Sequence, residues 1–167
     1  MEIIDVVNEK DEVIGNAPYS DIYAKKLRHR IAHMFIFNDA GELALQLRSK
    51  RKSFCPGAWS TSVGGHVQSG ETYEIAVKRE SMEEIGVVPS VKFLAIDYYV
   101  NTPDRGGQIK FLGSFTSRFN GPFKITPEEV ERMEFFSLEK IREIITRGEN
   151  FHPELLFLLE KHYGIKI

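Results

Sequence analysis

The strongest constraint on the fold lies between two glycine markers, Gly64-Gly65 and Gly86. Residues 72–85 between them read as one helix, with Gly86 just past its end as a C-cap. At about 100° per residue, Tyr73, Ala76 and Val77 share a face, as a core stripe should. That stripe continues into Glu80, Glu83 and Glu84. A solvated charge run would lie opposite the apolar face, whereas here the carboxylates extend it. Glu80 is i, i+3 and i, i+4 to Glu83 and Glu84, and like charges at that spacing destabilise a helix by roughly 0.2–0.5 kcal/mol per pair. Arg79 offsets part of this, but three neighbouring carboxylates call for a cation. Oxygen ligands without His or Cys favour a hard ion, Mg²⁺ or Mn²⁺. Taken alone, the stripe also admits a plainer reading, a surface helix with incidental charges.

The remaining pattern is mixed α/β. Residues 3–7 and 13–14 flank a turn-prone stretch and read as a small hairpin, and 21–26 as a short helix. Residues 31–37 suit a buried strand, and 42–47 alternate Leu43, Leu45 and Leu47 with polar or small neighbours. A strand over 59–63 should stop at Gly64-Gly65. Strands over 87–100 and 108–115 pair around a turn at 101–107, a last strand covers 134–137, and 138–146 and 154–162 read as helices. Adjacent strands are too many for simple βαβ alternation.

Composition narrows the function classes. A chain of 167 residues suggests one domain. A net charge of −2 gives no electrostatic footprint for a nucleic-acid polymer. Apolar stretches such as 34–37 fall far short of a membrane span. The start, Met-Glu-Ile-Ile-Asp, has neither a basic segment nor an apolar signal core, so a cytoplasmic location is expected. Cys55 is the only cysteine, which excludes an intramolecular disulfide and a zinc-thiolate cluster.

Residues 65–87, GHVQSGETYEIAVKRESMEEIGV, resemble the Nudix box, G-x5-E-x7-R-E-U-x-E-E-x-G-U with U a bulky aliphatic. Gly65, Glu71, Arg79, Glu80, Glu83, Glu84, Gly86 and Val87 fill their slots, and Ser81 at the first aliphatic position is the one departure, expected to weaken helix packing. At ordinary residue frequencies the fixed positions would match by chance on the order of one time in a million. The resemblance implies an α/β/α sandwich with a mixed central sheet, a single hydrolase domain over 1–167. It implies that Glu80, Glu83, Glu84 and the Gly65 carbonyl bind Mg²⁺ or Mn²⁺, that Arg79 orients the glutamates and that Glu71 supports them from the loop. The implied reaction is attack of a metal-activated water on a nucleoside diphosphate linked to another moiety. Arg48, ending an alternating strand in a basic run, is expected to contact the small-molecule diphosphate. Glu129 is expected at the substrate or metal, although Thr126-Pro127-Glu128-Glu129 also reads as the acidic start of a helix.

A second likeness covers most of the chain. The N-terminal hairpin, Leu27-Arg28-His29-Arg30, the stretch 56–63 and Phe151-His152-Pro153 resemble the isopentenyl-diphosphate isomerase branch of the superfamily. The catalytic cysteine slot of those isomerases is Gly64 here. His29 and His66 stand where two metal-binding histidines would be, but Gln108 and Lys110 fall where acidic ligands are expected. Isomerisation needs a placed acid, so an isomerase-like body carrying hydrolase chemistry is expected. Isomerase activity and a non-catalytic ligand-binding module are the alternatives. His29 and His66 are otherwise read as polar structural residues, Cys55 as unreactive, and Phe54, Trp59, Tyr98, Tyr99 and Phe111 as core aromatics able to stack on a base.

Overall fold

Asn8 builds the first turn, its Oδ1 accepting from the backbone of Lys10 and Glu12. The hairpin that results, β1 (Ile3–Val7) and β2 (Val13–Pro18), leads into α1 (Tyr19–Ala24). A computed structural model describes residues 1–166 of the chain. The short helix begins two residues earlier than the sequence suggests, directly behind Pro18, which cannot continue the strand ladder.

The main sheet contains β3 (His29–Phe37), β4 (Leu43–Arg48), β5 (Trp59–Ser60), β6 (Val63–His66), β7 (Lys92–Val100), β8 (Ile109–Arg118) and β9 (Val130–Phe136). β3 and β8 run parallel and the other pairings are antiparallel. One face is covered by α2 (Tyr73–Ile85), packed through Ala76, Val77 and Ile85 onto Met34, Ile36 and Phe115. The other carries α3 (Leu138–Thr146) and α4 (Pro153–Tyr163), which bring Ile141, Ile144, Leu155, Leu158 and Leu159 against Phe35, Leu45 and Leu112. This is the α/β/α sandwich with a mixed sheet that the sequence implies. Coverage on both faces explains why β4 buries Leu43, Ala44, Leu45 and Gln46 alike, although its sequence alternates.

The important departure lies at 59–66. The strand neither runs unbroken over 59–63 nor stops at the glycines. β3 and β4 stay paired only at Phe37 and Leu43 and then splay; β5 fills the wedge on β4, and β6, containing both glycines, fills it on β3. Thr61 and Ser62 make the crossing. The Ser62 hydroxyl accepts from Ile36 N and donates to Ala44 O, and Thr61 donates to Val63 O. Side-chain hydroxyls thus satisfy backbone groups that a continuous ladder would have paired. The segment 87–91 also stays out of β7.

Gly113 in β8 lies under the ring of Tyr73, whose hydroxyl donates to Asp11. A Cβ at Gly113 would sit 2.2 Å from Tyr73 Cδ1, whereas one at Gly15 in β2 would meet nothing within 4 Å. Gly113→Ala should therefore lower stability by roughly 1–3 kcal/mol through overpacking. Gly15→Ala should be neutral or stabilising by about 0.4–1 kcal/mol. Urea melts of the two variants check this, and equal midpoints would refute the packing argument.

Candidate active site

The wedge between β3 and β4 opens into a cavity of about 450 Å³. One wall is the second half of α2. Thr72 caps the helix by accepting from Ile75 N, and Gly86 ends it at φ 67°. A side chain at Gly86 would also meet Lys124 Cβ and O at 2.8 Å, so two separate demands fix that glycine. Ser81 is fully buried and donates to Val87 O. Instead of weakening the packing, it ties the chain beyond the helix back to it.

Arg79 organises the carboxylates. Its Nε and Nη2 donate to the two oxygens of Glu71 at 2.6 and 2.9 Å, and Nη2 also reaches the His66 carbonyl at 2.9 Å. Nη1 donates to Glu80 at 2.8 Å and Glu83 at 3.3 Å. Glu71 in turn accepts from Gln68 N. Glu84 is buried and accepts from Gly64 N at 3.0 Å, while Glu83 stands exposed at the rim. The Glu80 carboxylate lies over Gly65, where a Cβ would come within 2.2 Å of it. Burial, with the charge of Glu83 adding to it, raises the Glu80 pKa to about 7 against the pull of Arg79. Burial and the neighbouring Glu80 charge raise that of Glu84 to about 8.

Among the described residues no three His, Cys, Asp or Glu side chains already converge as a metal cage. Arg79 draws Glu80 and Glu83 one way and Gly64 N holds Glu84 another. Their chemistry still fits a hard cation: oxygen donors only, two of them buried and ionised at a cost, around a glycine whose missing side chain lets the Glu80 carboxylate lie on the strand.

Opposite stand Arg48, Lys52 and Glu129. The Arg48 fork is largely engaged, since Nε and Nη2 both donate to Phe54 O. Lys52 is paired with Glu129. Instead of starting a helix, Glu129 sits in a turn, and Val130 opens β9. Of the five aromatics singled out, only Phe54 lines the cavity; Trp59, Tyr99 and Phe111 are buried, and Tyr98 faces solvent.

The inner end holds Glu154, His33, His152 and Tyr23, which sequence reasoning did not place in a site, beside Lys110, His29 and His66, which it set against the isomerase ligand positions. Glu154 in the first turn of α4 lies 3.2 Å from Lys110 Nζ and accepts from His33 Nε2 at 3.2 Å. His152 caps that helix, accepting from Glu154 N, and its own N–H is fixed to Trp59 O. Tyr23 and His66 close the end at 2.6 Å. Burial lowers the His66 pKa to about 3, which keeps the ring neutral beside the Tyr23 hydroxyl. His29 stacks on His66 and has an unpartnered, buried Nε2. The available signal was period-two alternation of His29, Ile31 and His33 along one face of β3. The thiol of Cys55 is pushed up by burial, in keeping with an unreactive residue.

Burial keeps His29 neutral with a pKa near 4, reinforced by Lys110, and burial likewise holds His152 near 4. The unfolded chain takes up these protons near 6.5, so the stability from the two neutral rings is complete above pH 6.5 and is lost as pH falls toward 4. Glu80 and Glu84, with raised values, work in the opposite sense, so the check must be site-specific. The His29 and His152 imidazole resonances should hold constant from pH 8 to about 5. A midpoint near 6.5 for either ring would refute its burial in neutral form.

The family described as the NUDIX domain matches residues 27–159. An uncharacterized Nudix hydrolase from Nostoc is 43% identical over 166 residues, covering 98% of this chain and 97% of that protein. A protein named isopentenyl-diphosphate Delta-isomerase 2, from Photorhabdus laumondii, is 31% identical over 152 residues, covering 90% and 86%. The crystal structure of DR0079 from Deinococcus radiodurans superposes with a TM-score of 0.83 at 33% identity, covering 97% of this chain and 99% of that one.

Proposed function

The chain belongs to the Nudix hydrolase family, and from that premise we propose that it hydrolyses a diphosphate linkage in a nucleoside diphosphate joined to another group, using Mg²⁺ or Mn²⁺. The observation that carries this reading is the Arg79 fork, which gathers Glu71, Glu80, Glu83 and the His66 carbonyl at one wall of the cavity. Glu80, Glu83, Glu84 and the Gly65 carbonyl would hold the ion. When bound, it supplies charge neutralisation for the diphosphate and a more acidic water.

The chain's own residues do the positioning. Arg79 spreads positive charge over Glu71, Glu80 and Glu83, so carboxylates that would repel can face one side. Glu84 is oriented by Gly64 N. Lys52 and Glu129 stand across the cavity at its mouth, where Lys52 can meet a phosphate once Glu129 releases it. Arg48 holds Phe54 in place and keeps Nη1 free of the Phe54 carbonyl, available for a phosphate oxygen. Preorganised charge of this kind is the main contribution a protein makes to phosphoryl chemistry.

The likeness to an isomerase gives the second reading. Two features weigh against it: Gly64 offers no side chain as an acid, and Lys110, at an expected acidic position, is already committed to Glu154. Incubation with isopentenyl diphosphate in deuterated water should yield no deuterated allylic product. Incorporation at a catalytic rate would reverse the choice.

Glu83→Gln and Glu84→Gln should each lower kcat at least ~10²-fold, about 2.7 kcal/mol, with the fold intact by circular dichroism. Chelation should abolish turnover and Mg²⁺ or Mn²⁺ restore it. Near-normal kcat in both variants would remove the metal role from this helix.

A further inference from the structure

The hydrolytic reading leaves the inner end of the cavity unexplained. Lys110 and Glu154 are 2% and 3% exposed, yet both line the cavity instead of being sealed in the core. Two strands and a helix converge to hold them. Lys110 lies beside His29 and Tyr99 in register across β3, β8 and β7. Glu154 is delivered by α4, whose start is pinned to β5 through His152 N and Trp59 O. A buried ion pair is a poor device for stability, since apolar residues of like volume serve as well or better. A pair kept at the floor of a cavity therefore points to recognition.

The unused bonding capacity defines what can be recognised. An ammonium has three donors. Lys110 directs one at Glu154 and lies over the rings of Tyr23 and Phe54, 5.5 and 5.8 Å from their centroids. Each Glu154 oxygen has one close partner, His33 or Lys110, and a further lone pair. An anion reaching this point would meet the Glu154 carboxylate, and a cation would meet the Lys110 ammonium. A hydrocarbon tail would cut both charges off from water and satisfy neither. What fits is a neutral group with an acceptor and a donor side by side, flat enough to lie against two aromatic rings.

We infer that Lys110 and Glu154 form a recognition subsite for the hydrogen-bonding edge of a nucleobase, Lys110 donating to a ring carbonyl or ring nitrogen and Glu154 accepting from an amino or imino N–H. The inference rests on the diphosphate-hydrolase reading for orientation: the base enters first and the diphosphate stays at the glutamates. Gly64 joins the two ends, its N–H bonded to Glu84 and its Cα facing His33, the partner of Glu154.

The test has two arms. In the first, kcat and KM are measured with Mg²⁺ for the diphosphates of cytidine, uridine, guanosine and adenosine, and for ribose 5-diphosphate, which has no base. At least one nucleotide should be preferred over the base-free compound by about ten-fold or more in kcat/KM. Lys110→Met and Glu154→Gln should raise KM for that nucleotide about ten-fold while leaving ribose 5-diphosphate within about two-fold. The double variant, which removes both charges at similar volume, keeps the test open should a single variant fail to fold. Equal loss on both substrates, or no preference for a base, would overturn the subsite. In the second arm, the four nucleosides and free ribose are titrated without metal against the wild-type protein and followed by NMR. A nucleoside should shift resonances around Lys110 and ribose should not; matching responses, or none, would overturn the inference. If no diphosphate is hydrolysed but a nucleoside still binds there, the hydrolase reading falls and the subsite stands.

Discussion

Arg79 is the interaction on which the rest of the site depends. Three glutamates within little more than one helical turn would push apart or turn to solvent. Their neighbour converts that repulsion into an arrangement by spending its guanidinium on both sides: Glu71 and the His66 carbonyl from the strand-to-helix loop, Glu80 and Glu83 from the helix. A lysine, with a point charge and no planar fork, could not hold these partners in one plane. The bonding explains why β6, the loop and α2 behave as one unit. Gly65 completes it by allowing the Glu80 carboxylate to lie directly on the strand.

That unit was legible in the sequence because its contacts all fall within one short stretch of chain, from Gly65 to Glu83. Thr72, Arg79 and Gly86 follow one another at about two helical turns, where spacing translates directly into geometry. The sandwich was legible for a related reason, since apolar runs and turns mark most strands and helices. The inner end was not. His33 meets Glu154 across 121 positions and Lys110 meets it across 44. No periodicity relates residues so far apart. Lys110 entered the sequence reading only as the wrong residue for an isomerase, and Glu154 only as the start of a helix. The break at Thr61-Ser62 was hidden too, because hydroxyls that replace ladder hydrogen bonds look like any polar residues in a strand.

Arg48 shows how a correct location differs from a correct role. Its place at the strand end put it at the cavity, as the alternation of residues 42–47 suggested. Most of its donor capacity, however, supports the loop through Phe54 O, and that loop brings Phe54 to Lys110. A residue expected to touch only phosphate therefore also shapes the far end of the same cavity.

Gly64 decides what the two ends can do together. A Cβ there would lie 3.0 Å from His33 Nδ1 and 3.2 Å from Thr61 Oγ1. A side chain there, a cysteine included, would press His33 and Thr61 back by a few tenths of an ångström, and His33 is one of the groups holding Glu154. The slot can carry an acid or leave the His33–Glu154–Lys110 set undisturbed, but the packing does not permit both without rearrangement. In the isomerase-like body this chain has the second option, and the same glycine gives its N–H to Glu84 on α2. The missing side chain and the occupied inner end are therefore one feature seen from two sides. Glycine at this slot is what leaves His33 undisturbed in its contact with Glu154.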